Sequence, residues 1–169
     1  MMNLMNWLQK NLDNRRVFLD TLLEINDSKN LIVTCDVGFS YLDDPKYKTI
    51  KVFNFGVTEQ SSAIISAGLA LSGYTVWFYS MINFVVFRPY EMVRNAICHH
   101  NANVKLVGVK GSEAYKFLGF SHNLDSPQED FNAVKDMPNI ELHEAQDVEH
   151  VKKIVKFENS RIGPCYIRL

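Results

Sequence analysis

Glu59 is the residue whose type and position first suggest chemistry. It stands in Gly56-Val57-Thr58-Glu59-Gln60, directly after the run Ile50-Lys51-Val52-Phe53-Asn54-Phe55 and at the head of a small-residue segment that includes Ser61-Ser62-Ala63 and Ser66-Ala67-Gly68-Leu69-Ala70. Spacing alone supports a structural role: Thr58 caps a helix, and the Glu59 carboxylate complements the positive end of its dipole. A helix lined with Ser, Ala and Gly also lets another helix approach closely, in a core or at a subunit interface. Familiar catalytic signatures are missing elsewhere. Gly108-Val109-Lys110-Gly111-Ser112 has glycines without the spacing of a phosphate loop or a dinucleotide fingerprint, and there is no Gly-x-Ser-x-Gly elbow. His99-His100 read as helix-terminal residues that favour the dipole, and not as metal ligands. Cys35, Cys98 and Cys165 match no zinc spacing and lie in apolar or helical runs, so they read as buried, reduced thiols.

The elements that must position Glu59 follow from hydrophobic periodicity. Leu4, Leu8, Leu12, Phe18, Leu19, Leu22, Leu23 and Ile25 predict one helix or two over 4–25. Leu31–Cys35, Ile50–Phe55, Thr75–Tyr79 and Val104–Gly108 read as strands, with helices predicted at Glu59–Leu71 and Asn83–Asn101 between them. A long loop is expected over 109–126. Ser126-Pro127-Gln128-Glu129 has the form of a capping box with Pro at the first helical position. A brief strand at Asn139–Leu142, a helix at Asp147–Asn159 capped by Asp147, and a strand at Cys165–Leu169 complete the chain. Strands separated by helices predict an α/β three-layer sandwich: a mostly parallel central sheet with helices on both faces. Ligands bind such sheets beyond the carboxyl ends of the strands, so the loops after Cys35, Phe55, Tyr79 and Gly108 are the place for a site.

Composition narrows the function. The chain has 169 residues, enough for one domain, with 18 Lys+Arg against 19 Asp+Glu and 47% hydrophobic residues. A formal charge of −1 offers no electrostatic footprint for nucleic acid or an anionic membrane. The start, Met1-Met2-Asn3-Leu4-Met5-Asn6-Trp7, lacks a basic region followed by an apolar one, and no stretch is long enough to span a bilayer, which predicts a cytoplasmic protein. We expect a single domain over 1–169, with 1–14 as an N-terminal helical extension.

An ordered set of motifs then carries a resemblance. Gly56-x-x-Glu59-Gln60, Ala67-Gly68-Leu69-Ala70-Leu71-x-Gly73, Phe84, Arg94-Asn95-Ala96, Gly119-x-Ser121-His122, Met137-Pro138-Asn139-Ile140 and Gly163-Pro164-x-Tyr166-Ile167-Arg168-Leu169 together resemble the pyrimidine-binding domain of transketolase-type thiamine diphosphate enzymes, over about residues 15–169. The resemblance implies that Glu59 hydrogen-bonds the ring nitrogen N1′ of the cofactor's aminopyrimidine and so drives formation of the thiazolium ylide, with its own pKa raised by burial in the assembled site. It implies that Phe84 packs on the pyrimidine, with Met81 beside the cofactor and Asp36 near the thiazolium. Phe87 is either a second ring contact or core. Ser40 and Arg16 are implied as phosphate ligands of a sugar substrate, the alignment at Arg16 tolerating a slip of one residue. His122 is implied to face the substrate and move a proton.

Departures from the family bear on the donor substrate. Leu118 stands where transketolases carry an acidic residue before the glycine matching Gly119, and Lys110 takes the approximate place of a family histidine. The chain also lacks the Gly-Asp-Gly motif that, in the family's diphosphate-binding domain, holds the cofactor's diphosphate through Mg²⁺. Nor does it extend past Leu169 to the family's C-terminal domain. The expected enzyme is therefore split. This chain pairs with a separate diphosphate-binding subunit that binds Mg²⁺, as a dimer of heterodimers transferring a two-carbon ketol unit between phosphorylated or nucleotide-linked sugars. Two alternatives stay open: a 2-keto-acid decarboxylase or acyl-transfer subunit with the same cofactor, and a non-catalytic regulatory or scaffolding subunit.

Overall fold

Every residue of Asn30–Thr34 is buried, as a strand covered on both faces requires. A computed structural model describes the backbone of residues 4–37, 39–110 and 113–169, with side chains described for 14–37, 41–110 and 115–169. It forms a six-stranded sheet from β1 (Asn30–Thr34), β2 (Lys51–Asn54), β3 (Thr75–Met81), β4 (Val104–Val109), β5 (Glu141–Glu144) and β6 (Cys165–Arg168). The spatial order is β2-β1-β3-β4-β6-β5, and every neighbouring pair is parallel. The expected α/β sandwich is thus present, with a sheet that is wholly parallel.

Alternation along the strands divides the core in two. Leu31 and Val33, Val76 and Phe78, Val104 and Leu106, and Tyr166 pack on one face, under α3 (Glu59–Leu71) and the helical segment 83–98. Ile32, Trp77, Tyr79, Val107, Cys165 and Ile167 face the other side, where Phe18, Leu19 and Leu22 of α1 (Leu4–Ile25) meet Val151, Ile154 and Val155 of α6 (Val148–Ser160). The first expected helix is one continuous element that crosses residue 14 without a break. Gly108 is required by packing: a Cβ there would sit 2.9 Å from Tyr166 Cε2 and 3.0 Å from Ile82 Cγ1. All three cysteines are free and buried, as expected.

Several local expectations need correction. Segment 83–98 is not a regular helix: wide turns at Asn83–Phe87 and Val93–Cys98 flank a short α4 (Tyr90–Met92). Pro89 has no N–H and breaks the i→i−4 ladder, and the Arg88 amide bonds back five residues to Asn83 O at 3.0 Å. The 109–126 loop contains tight helical turns at Glu113–Ser121, interrupted at Gly119 (φ 65°). Their carbonyls are held by Asn123, whose Nδ2 donates to Tyr115 O and Gly119 O at 2.9 Å each. Ser126 does not cap a helix; α5 (Glu129–Val134) begins later, and Glu129 Oε2 accepts from the Asp125 amide at 2.6 Å. Arg168 Nη1 donates to Pro127 O at 2.8 Å and holds that carbonyl outside the helical path. The strand expected at Asn139 starts at Glu141, because Asn139 is a left-handed turn residue (φ 62°). Asp147 caps α6 as expected, accepting from the His150 amide at 2.8 Å.

Candidate functional site

In the strand order β2-β1-β3-β4, the chain runs outward in opposite directions from β1 and β3, so these two neighbours form a topological switch point. Their carboxyl ends part there and leave a crevice. A cavity of about 540 Å³ occupies it, lined by residues that follow β1, β2, β3 and β4, the four loops singled out above.

Glu59 forms its buried end. The carboxylate arrives by a turn at Gly56, in the left-handed region (φ 69°), followed by the first residue of α3. Thr58 occupies the cap position without capping: its hydroxyl donates to Phe55 O at 2.9 Å, stitching the turn instead of the helix. Asn54 organises the same turn, its Oδ1 accepting from the amides of Gly56 and Asp36 at 3.0 Å each. Asp36 is thereby held in the left-handed region (φ 54°) at the cavity rim. A strained residue fixed in this way by a neighbouring loop is what a preorganised site requires.

Glu59 is 6% exposed, and its Oε1 lies 2.5 Å from Arg88 Nη1. The Arg88 guanidinium carbon in turn sits 3.8 Å from the centroid of the Phe84 ring. Phe84 is itself buried, and its ring and that of His122 meet in a T-shape with centroids 5.0 Å apart at 76°. Asn83, next to Phe84, donates to Phe120 O at 2.9 Å and so fastens the 113–121 turns against the ring. Ser121 Oγ donates to Leu118 O at 2.9 Å and lies 2.7 Å from His122 Nδ1. A hydroxyl has one proton; with that proton on the Leu118 carbonyl, Nδ1 is the donor and His122 Nε2 is left as the imidazole's acceptor.

Two further polar groups on the lining have no partner among the described residues. Ser80 Oγ, in a residue 1% exposed, and Arg15 Nε are both buried without a hydrogen bond. Burial and the neighbouring Glu59 carboxylate raise the Cys35 thiol above its ordinary pKa, and burial pushes the Tyr79 phenol up to about 12, so both walls are neutral near pH 7. The cavity therefore combines an aromatic face, a buried carboxylate, an imidazole and unpaired donors. It can take a flat heterocycle with polar edges together with an anionic group.

The structure brings Glu59, Phe84, Met81, Asp36 and His122 to this cavity, together with Lys110 and Leu118. Arg16 lies outside it, exposed and over the Tyr41 ring at 5.7 Å; Arg15 takes the place on the lining. Phe87 packs against the core instead of the cavity. Ser40 lies on the one-turn helix α2 (Phe39–Leu42), and its side chain falls outside the described residues. Sequence reasoning missed Arg88, Arg15, Ser80 and Asn54. The spacing of Phe84 and Arg88, one helical turn apart, was the available signal for Arg88.

Comparison with known proteins finds a family and several relatives. The family model described as the transketolase pyrimidine-binding domain matches residues 27–169. A curated relative, one of the subunits of an apulose-4-phosphate transketolase from Phocaeicola vulgatus, is 32% identical over 159 residues, which is 92% of this chain and 50% of the relative. The putative transketolase C-terminal section of Methanocaldococcus jannaschii is 28% identical over 92% of this chain and 49% of its own length. Among solved structures, a split-gene transketolase described as an inactive β4 tetramer superposes with a TM-score of 0.79 at 27% identity, covering 92% of this chain and 50% of the other. The chain thus spans about half the length of these relatives.

Proposed function

This chain belongs to the transketolase pyrimidine-binding domain family, whose enzymes depend on thiamine diphosphate, and from that premise we propose that it is the pyrimidine-binding subunit of a two-chain, transketolase-like transferase. The partner is a diphosphate-binding chain that carries Mg²⁺, arranged with it as α2β2 in the cytoplasm, and the reaction moves a two-carbon ketol unit between sugar substrates. Two relatives, one named as a subunit of a transketolase and the other as a split-gene transketolase, support the division of the enzyme between chains.

The observation that carries the reading is Glu59, a buried carboxyl that shares its cavity with Phe84 at the switch point of the sheet. The residues fit the cofactor's aminopyrimidine: a ring to stack on, a carboxyl and, without a partner among the described residues, the Ser80 hydroxyl on the same lining. When bound, thiamine diphosphate supplies the carbon nucleophile that attacks the substrate carbonyl. Glu59 holds a proton toward N1′ of the ring, Phe84 and Met81 fix its plane, and Asp36 faces the thiazolium end. His122 Nε2 exchanges a proton with a substrate oxygen, and Arg15, with its unpaired Nε, takes the substrate phosphate in place of Arg16.

Leu118 on the cavity wall favours one second reading. An apolar contact where the family has an acid suits a 2-keto-acid donor, and a substrate screen of the assembled enzyme separates the two donors. A purely scaffolding role gives no reason to place an acid on the wall of a cavity that also holds Phe84 and His122. The test of the main reading is co-purification with a chain bearing Gly-Asp-Gly, followed by ketol-transfer assays of wild type and Glu59→Ala. Loss of the acid–base contact should lower the rate at least about 10²-fold. An undiminished rate overturns it.

A further inference from the structure

Arg88 makes both contacts that a flat heterocycle in this cavity would need. Its planar guanidinium lies 3.8 Å above the Phe84 ring, while an edge nitrogen, Nη1, bonds the Glu59 carboxylate at 2.5 Å. A planar group with its donors on the rim is the protein's own imitation of such a ring. The two cannot be accommodated together. Phe84 is 6% exposed and also meets the His122 ring, so little of it is left for a second flat group beside Arg88. The Glu59 side chain is 7% exposed and is equally short of room for a second partner.

Arg88 is also the member of the trio that can leave. Its side chain is 36% exposed, and Glu59 is its sole hydrogen-bond acceptor among the described residues. Its backbone, by contrast, is anchored at both ends: the amide donates to Asn83 O at 3.0 Å, and the carbonyl accepts from Gln60 Nε2 at 3.3 Å. The side chain can therefore swing while the wide turn that carries Phe84 stays in place. An arginine in this position also answers a problem of the free chain, in which a buried carboxylate without a counter-charge would be costly.

Resting on the reading that the cavity receives the cofactor's aminopyrimidine, we propose that Arg88 is an internal competitor for that ring. It holds the seat in the free chain, lowers the chain's affinity for the ring, and must come off both Phe84 and Glu59 before the ring can dock.

The experiment is calorimetric titration of hydroxymethyl aminopyrimidine, the cofactor's ring without its thiazolium, into wild type, Arg88→Met, Arg88→Lys and Phe84→Ala. Relieving one partly exposed ion pair and one cation–π contact should tighten binding to Arg88→Met by roughly tenfold over wild type. Arg88→Lys, which keeps the charge and loses the planar stack, should fall between them. Binding to Arg88→Met that is equal to or weaker than wild type overturns the proposal and makes Arg88 a helper of the ring instead. Phe84→Ala binding the ring as well as wild type does, or no binding by any variant, removes the underlying reading of the cavity and the competitor with it. Should Arg88→Met fail to fold, wild type alone decides through the side-chain Nε resonance of Arg88. Shielded by the Phe84 ring in the free protein, it should move to the position of a solvated arginine as the ring is added. A resonance that stays in place while the ring binds overturns the proposal.

Discussion

Lys105 Nζ and Glu158 Oε2 lie 3.0 Å apart with neither side chain reaching solvent. The ammonium also donates to the carbonyls of Arg161 at 3.0 Å and Gly163 at 2.7 Å, so all three of its protons are placed. Glu158 is shared further, with His143 Nε2 at 2.7 Å and Arg161 Nε at 3.0 Å. The cluster ties α6 to Lys105 near the start of β4, to His143 within β5 and to Gly163 just before β6.

Removing one partner strands the other. Glu158→Gln leaves the Lys105 charge buried without its counter-ion, and unfolding by denaturant should show a loss of about 3–5 kcal/mol. Leu or Met at both positions should recover much of it, because well-packed apolar replacements of a buried pair are often tolerated. A Glu158→Gln protein as stable as wild type would mean that the pair is not formed.

Acid should act through the same carboxyl. Burial alone would raise its pKa, but hydrogen bonds from His143 and Arg161 and the Lys105 charge outweigh burial and hold Glu158 at about 2, against an ordinary 4.5. A depressed carboxylate stabilises the fold fully above its unfolded value and loses that contribution as pH falls toward its folded value. Thermal midpoints measured between pH 4.5 and 2 should therefore drop steeply for wild type, and less steeply for Glu158→Gln, which has no such group to titrate.

Neighbouring arginines should separate cleanly in kinetics. Arg15 lines the cavity and Arg16 does not. In the assembled enzyme, Arg15→Ala should raise the KM for a phosphorylated substrate by about tenfold or more, the scale of one charge-assisted hydrogen bond. Arg16→Ala should leave KM within about twofold, as for an exposed side chain. Equal effects would show that the phosphate lies elsewhere.

Asn54 is expected to matter without touching either ligand. Asn54→Ala removes the acceptor for two amides, those of Asp36 and Gly56, and should cost about 1–2 kcal/mol of stability. Hydrogen exchange should then quicken at both amides together. Exchange that changes at one amide alone would show that the two loops are not coupled through this side chain.

The layered architecture was legible because the periods of the strands and helices repeat without ambiguity. The largely apolar, β-branched runs at Leu31–Cys35 and Val104–Gly108, interrupted only by Thr34 and Lys105, read as strands covered on both sides, and the helix at Glu59–Leu71 has the bounds that its small-residue pattern indicated. Boundaries went astray where side chains overrode local signals: Arg168 on Pro127, Asn123 on the 113–121 turns, and Pro89 on the helix after Phe84.

For the site, Glu59, Phe84 and His122 were singled out by the resemblance of their motifs to a family, whereas spacing alone gave Glu59 a structural role at a helix start. The sequence by itself thus determined the class of fold, the end of the sheet that carries the cavity, and the residues whose chemistry could be used there. The tertiary structure alone decided that Arg15 and not Arg16 turns inward, that Arg88 covers both Phe84 and Glu59, and that Lys105 finds Glu158 across 53 residues of chain. Periodicity reports which face of an element is buried; which charge meets which depends on how separate elements are packed, and no local pattern encodes that distance.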